Sequence, residues 1–457
     1  MILKKAKVIG MLLFVLIIAS CKKITTEKIV STPTYYSSSN DIVISKDTLI
    51  DGNWDIPTNT ILRFESGGHI SGTGTIMGGI IAAPLTQSIF DTSITLLNIT
   101  LYDNNFSVMW YGAHPTNFDN SNYLQKSINT CIANGFVNCF IPRGFYKFSK
   151  SLKIYKLFKN AYVGVAVRLY GESGFWDDKT TLSYDAITGF ALGVQVGKGV
   201  EIDHLKIIGK FLPPNTVGPI YYNTPFASFG TNLGSSGLVI DYDGTKGSSG
   251  STGIKVHDLW VTNFEILYAV SPNGVTNNAD ILKFENIQCG DARIGFQSNQ
   301  AQEKGNTIQG IYSWGKIHTL ISIGQSGKYQ AGNYTINEGN IAGKCIRLFD
   351  IREAGWFPSA ISNLFAESIG SIGSIQCGDS KNKLPTKLSS CNFQFAYVSE
   401  AGSQNLLYSN SLYIKFEDCL FRYYGNNDTL HMTGWASFEN CFFSGPVSNP
   451  NSGFTIF

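Results

Sequence analysis

Phe416-Glu417-Asp418-Cys419-Leu420-Phe421 and, a short way on, Phe438-Glu439-Asn440-Cys441-Phe442-Phe443 are two copies of one pattern. Each reads apolar, two polar, apolar, one residue, apolar. The pattern runs back through Leu388-Ser389-Ser390-Cys391-Asn392-Phe393, Ile361-Ser362-Asn363-Leu364 and Ile308-Gln309-Gly310-Ile311. Earlier copies are Phe284-Glu285-Asn286-Ile287-Gln288-Cys289, Val256-His257-Asp258-Leu259-Trp260-Val261 and Ile202-Asp203-His204-Leu205-Lys206-Ile207. A weaker copy is Ile336-Asn337-Glu338-Gly339-Asn340-Ile341.

The copies begin at 202, 256, 284, 308, 336, 361, 388, 416 and 438, so the intervals are 54, 28, 24, 28, 25, 27, 28 and 22. A period in the twenties is too short for a propeller blade and carries no leucine-rich consensus. It suits one coil of a right-handed parallel β-helix. The two polar residues turn a corner between strands, and the flanking apolar residues point inward. Asn286, Asn363 and Asn440 share the second corner position, with Asp258 and Asp418 as relatives. Asn tolerates the left-handed backbone such a corner needs, and stacked amides can hydrogen-bond from coil to coil. Cys391, Cys419 and Cys441 hold equivalent positions and are expected to stack inside as small hydrophobes. His204 and His257 fall in corner positions and read as structural. A β-sandwich would instead alternate in short hairpins with Asn-Gly turns.

The composition agrees. The chain has 457 residues, of which 15% are charged, with 47 Gly, 30 Phe and 22 Tyr. A solenoid escapes the size limit of a single core, because each repeat packs only on its neighbours. The net charge is +2 with no basic block, which argues against a nucleic-acid partner. No Cys-x-x-Cys or Cys/His pair has zinc spacing, so no metal site is expected, and the sequence identifies no cofactor. The pairing of Cys131 with Cys139 stays open.

Residues 1–21 read MILKKAKVIGMLLFVLIIASC. Three lysines precede an apolar run that ends in Ala19-Ser20-Cys21. The run is short for a membrane span of ~20 residues, and small residues before a cysteine resemble a bacterial lipobox. The expectation is a signal peptide over 1–20, acylated Cys21, and a Ser/Thr-rich tether over 21–45. The protein would then sit in the bacterial cell envelope, anchored to a lipid membrane on its periplasmic or outer surface. Residues 46–110 hold Gly-rich short strands that suit first coils or a cap, and 111–457 the main β-helix.

Residues 110–150 carry a further signal. Gly112-Ala113 precedes an acidic turn at Asp119, then a helix with Gln125-Lys126-Ser127-Ile128, then a strand ending Ile141-Pro142-x-Gly144-x-Tyr146. This resembles the opening of the pectate-lyase-like β-helix superfamily. The resemblance implies a capping helix and a sheet that binds sugar. The Asn-Thr-Asp, Asp-Asp and Gly-His-Gly of polygalacturonase-like members are absent from the matching coils. The helix at about 121–134 has Leu124, Ile128, Cys131 and Ile132 on one face, suited to covering a solenoid end. Asp119 or Ser121 is placed to cap it.

Strands are expected after each corner at 238–241, 265–270, 293–297, 318–322 and 345–349. With Ile240, Ile266, Ile294, Phe296, Thr319, Ile321, Ile346 and Leu348 inward, the outward column is Asp241, Glu265, Arg293, Gln297, His318 and Arg347. Asp350, Arg352 and Glu353 continue it. The 54-residue interval contains an insertion at 210–236 with Tyr221, Tyr222 and Phe226, suited to stacking on sugar rings. Acids, Arg and His on one wall fit uronate chemistry. β-Elimination needs a base and a cation for the developing charge, and hydrolysis needs two carboxylates. The expectation is an exported protein acting on acidic polysaccharide by lyase or glycoside hydrolase chemistry. The alternative is a non-catalytic surface β-helix that binds glycan or protein.

Overall fold

The computed structural model describes residues 41–172, 180–211, 234–243, 250–272, 279–299, 305–324, 334–353, 359–377, 386–395, 405–408, 414–423, 431–433, 436–444 and 454–456. The expected signal peptide, Cys21 and most of the tether lie outside these residues. So do Tyr221, Tyr222 and Phe226.

The chain is a right-handed parallel β-helix. Among the described residues, 29 strands join in one ladder, and the pairings that link successive coils are parallel. Three faces recur. The first includes Glu201–Asp203, Lys255–His257, Thr386–Ser389, Ile414–Glu417 and Ala436–Glu439. The second follows the corner, as in Leu205–Ile208, Trp260–Thr262 and Leu420–Tyr423. The third comprises Ser235–Ile240, Phe264–Val270, Ala292–Ser298, Ile317–Ile323 and Cys345–Glu353.

The corner between the first two faces obeys one rule. Its second residue has positive φ in all nine copies: His204 54°, Asp258 51°, Asn286 51°, Gly310 74°, Glu338 65°, Asn363 56°, Ser390 54°, Asp418 54° and Asn440 52°. A side chain there is strained by ~1–2 kcal/mol unless it is Gly or a short polar residue that bonds locally. Asn363 Nδ2 donates to Asn337 Oδ1 at 2.8 Å in the next coil, and Asn286 Nδ2 to Asp258 Oδ1 at 3.4 Å. The flanking apolar residues Val256, Phe284, Ile308, Ile336, Ile361, Leu388 and Phe416 are sealed in the core. Each contributes ~1.5–3 kcal/mol by leaving water. Phe416 stacks on Phe438 at 5.1 Å and Phe421 on Phe443 at 4.8 Å. Cys419 sits between Cys391 and Cys441, and its thiol donates toward Glu417 O at 3.3 Å and Leu388 O at 3.5 Å. Cys391 and Cys419 are buried; Cys441, in a last coil, is partly open.

Residues 41–101 are coils of the same kind, with Asp41 paired to Ile61, Ile61 to Ile80 and Ile80 to Thr100. The first strand, Asp41–Ile44, occupies the end of the expected tether. A helix, Ser121–Asn134, covers the open end of the main ladder and packs on the earlier coils with its other side. Leu124, Ile128, Cys131 and Ile132 enter a core cluster that runs from Ile42 to Phe438. Asn134 clasps the earlier coils, donating to Leu96 O at 2.9 Å and accepting from Ile99 N at 3.2 Å. Gln125 clasps the later ones through Lys153 O and N at 2.9 and 2.8 Å. Asp119 accepts from Ser121 N at 2.8 Å, so it satisfies a first-turn donor, although Asn120 is the cap residue. Cys131 and Cys139 are buried free thiols in contact.

Candidate functional site

The third face does not alternate simply. Leu267 and Tyr268, Leu320 and Ile321, and Leu348 and Phe349 are consecutive residues that all enter the core. Strict alternation breaks there, so Ile266, Ile294 and their register partner Thr319 reverse their expected facing. Ile266 and Ile294, expected inside, instead join Val239 and Ala269 in a separate apolar cluster with Phe190 and Tyr242. Thr319 and Arg347 continue the Ile266–Ile294 column in register. Gln297, Ser322 and Asp350 continue the Val239–Ala269 column. The outer wall thus changes from apolar to polar along the solenoid.

On its flank stand Glu265, Arg293, His318 and Ile346, each immediately before a residue of the Ile266–Arg347 column. Arg293 is ion-paired with Glu265, with side chains 14% and 15% exposed. Arg347 Nη1 lies 3.7 Å from Asp350 Oδ2. His318 Nδ1 lies 2.9 Å from Thr319 Oγ1. Burial drives the His318 pKa down to about 3, and the guanidiniums of Arg347 and Arg293 push the same way. The imidazole is therefore neutral at ordinary pH, between two cations. Gln297, Ser322 and Asp350 are almost wholly buried. Among the described residues, Gln297 Oε1 and Ser322 Oγ meet no hydrogen-bond partner. A buried unsatisfied polar atom is uncommon and marks a place where a ligand can bond.

Asp241 is a correction. It lies just past the strand Ser235–Ile240, in a turn with φ 54°. Its carboxylate accepts from Ser251 Oγ at 2.6 Å, Ser251 N at 2.9 Å and Val196 N at 3.2 Å. Burial pushes its pKa up, partly opposed by those bonds. It is a sealed corner residue, not a member of the wall. Arg352 and Glu353 end a wall strand, their backbones paired with Gln376 and Cys377; their side chains lie outside the described residues.

A second polar cluster escaped the sequence reading. Asp203 and His257 are register partners on adjacent coils. Arg168 grips the Asp203 carboxylate with two bonds at 2.8 and 2.9 Å. Burial alone would raise the Asp203 pKa, but Arg168 and His204 hold it below the usual carboxylate range. Burial likewise lowers the His257 pKa, yet Asp258 and Glu201 outweigh it and leave the pKa raised. The available signal was the alignment of Asp203-His204 with His257-Asp258 in successive repeats.

No family model matches the chain, and no curated protein matches its sequence. Solved structures do match. The Azotobacter vinelandii mannuronan C-5 epimerase AlgE4 A-module is 10% identical, with 77% of this chain and 99% of that chain covered and a TM-score of 0.46. A catalytic domain of a GH87 alpha-1,3-glucanase is 11% identical over 76% of this chain and 67% of that one, with a TM-score of 0.41. The Agl-KA catalytic domain is 12% identical over 77% and 68%, at 0.40. Likenesses at this identity and TM-score carry no argument.

Proposed function

We propose that the chain is an exported, carbohydrate-active β-helix protein that binds acidic polysaccharide on its third face and cleaves it by β-elimination. The observation that carries this is neutral His318 flanked by Arg293 and Arg347 on one wall. In β-elimination a base takes the proton from the carbon beside a carboxylate. Charge spreads onto that carboxylate, a carbon–carbon double bond forms as the bond to the glycosidic oxygen breaks, and that oxygen leaves with a proton taken from water. Guanidiniums stabilise the developing charge, and a neutral imidazole accepts the proton. A substrate carboxylate seated between Arg293 and Arg347 would cancel much of the field that depresses His318, and so make it more basic.

Hydrolysis fits less well. Glu265 and Asp350 stand three coils apart in register. At about 4.8 Å per coil that is ~14 Å, beyond the ~5–9.5 Å that glycosidases use. A non-catalytic binder is the second reading. It is favoured by the ion pairs that already engage Arg293 and Arg347.

The test is a panel of uronate-containing polysaccharides, followed by the absorbance of unsaturated products and by reducing ends. The reading expects unsaturated product, abolished in His318→Ala and Arg293→Ala with the fold intact. Binding without product supports the second reading. Reducing ends without unsaturation would point to hydrolysis and against elimination.

A further inference from the structure

The Asp203 cluster lies on the corner between the first and second faces, apart from the polar wall. We propose that this corner is a transition-metal site, in which Asp203, His204 and His257, with Glu201 as a fourth donor, hold a divalent ion such as Zn²⁺.

The fold itself brings the donors together. Glu201 and Asp203 alternate along one strand, and His257 lies beside Asp203 in the next coil. One ligand atom from each of Asp203, His204 and His257 lies within 4.8 Å of the others. His257 Nε2 is 2.8 Å from Glu201 Oε1 and 3.8 Å from Asp203 Oδ2. Donors around a tetrahedral zinc with bonds near 2.0–2.1 Å stand ~3.3 Å apart. The two distances bracket that value. His204 Nδ1 contacts Asp203 Oδ1 from the other side, and the two imidazoles are 5.7 Å apart and nearly perpendicular. Asp203, His204 and His257 form the mutually close set, and Glu201 approaches it through His257 Nε2.

The surroundings match the outer shell of a metal site. His257 Nδ1 lies 2.8 Å from Asp258 Oδ2. A metal-binding imidazole commonly donates its second nitrogen to a carboxylate, which fixes the ring and strengthens it as a ligand. On the other side of the ring, Nε2 faces Glu201 Oε1 and Asp203 Oδ2, where a divalent ion would take the place of a ring proton. Arg168 neutralises part of the buried Asp203 charge and orients it, using two of its roughly four lone-pair sites. The cluster remains reachable, since the His204 side chain is 31% exposed and Glu201 34%. Two His and two carboxylates suit zinc and its first-row neighbours better than calcium, which prefers oxygen alone.

The test titrates the purified full chain, stripped with chelator, with Zn²⁺ by calorimetry, and with Co²⁺ by absorbance. The expected result is one tight ion per chain, a Co²⁺ spectrum of nitrogen and oxygen ligation, and a thermal midpoint raised by Zn²⁺. His257→Gln and His204→Ala should each abolish that ion. Asp258→Asn, which leaves every donor in place, should weaken it about 10–100-fold. Absence of saturable binding would overturn the proposal. So would stoichiometry and affinity unchanged in all three variants, or a thiolate-type Co²⁺ spectrum from the buried cysteines.

Discussion

His318 concentrates the account at the scale of one residue. Its pKa falls from 6.5 to about 3 in the folded chain. Between those values the unfolded chain binds the additional proton, so stability is intact above pH ~6.5 and falls as the pH drops toward 3. We expect His318→Gln to remove part of this acid sensitivity. Urea midpoints at pH 7.5 and pH 5 should converge in the variant relative to the wild-type chain. An identical loss in both proteins would mean that His318 is not held neutral by its surroundings. The sequence placed this residue in one column with Arg293 and Arg347, but carried no sign of the burial that holds it neutral. Asp241 was not read correctly, because a carboxylate at the end of a strand looks the same whether it faces a groove or closes a turn. What decides is the ring of donors from Val196 and Ser251, and one of these lies 45 residues away.

Among the elements, the corner is the best-read feature. Short polar residues at the second position announced the left-handed backbone, and all nine copies adopt it. Asn363→Gly should cost only ~1 kcal/mol, for the lost bond to Asn337. Asn363→Val should cost ~1–2 kcal/mol in backbone strain and a further ~1 kcal/mol for the lost bond to Asn337. Comparison of denaturation midpoints measures this, and equal stability of the two variants would refute the corner account. Glu338 holds the same backbone at φ 65° without being a favoured residue there. Glu338→Asn is expected to stabilise by up to about 1 kcal/mol. Three of the third-face strands were located within a residue, while the first begins three residues earlier and the last runs four residues further than expected, and their facing was half misread. A strict period of two cannot anticipate a break that sends Leu267 and Tyr268 both inward and turns Ile266 outward.

For the whole molecule, the repeat interval alone disclosed the solenoid, because coil-to-coil packing is a one-dimensional property that sequence spacing reports directly. The helix at Ser121–Asn134 was likewise visible from its apolar face. Its second contact, with coils before it, was hidden because residues 46–101 lack the corner pattern. The Asp203 cluster was hidden for a different reason: its two imidazoles fall in corner positions, which read as structural, and the convergence of Asp203 and His257 appears only once the coils stack. Export is argued from Ala19-Ser20-Cys21. Cys21→Ser should release the protein from membranes or trap it as precursor, seen by fractionation; a variant that fractionates like wild type would refute acylation.

The most direct measurement is the affinity of a uronate oligosaccharide, with a neutral oligosaccharide as control, for the wild-type chain, Arg293→Ala, Arg347→Ala and Asp241→Ala. Losing one charged hydrogen bond costs ~1.5–3 kcal/mol, so each arginine variant should bind about 10–100-fold more weakly. The neutral sugar should discriminate little between them. Asp241→Ala should lose stability and keep its affinity. Full affinity for the uronate in both arginine variants would contradict the account and leave the wall as a solvated sheet face.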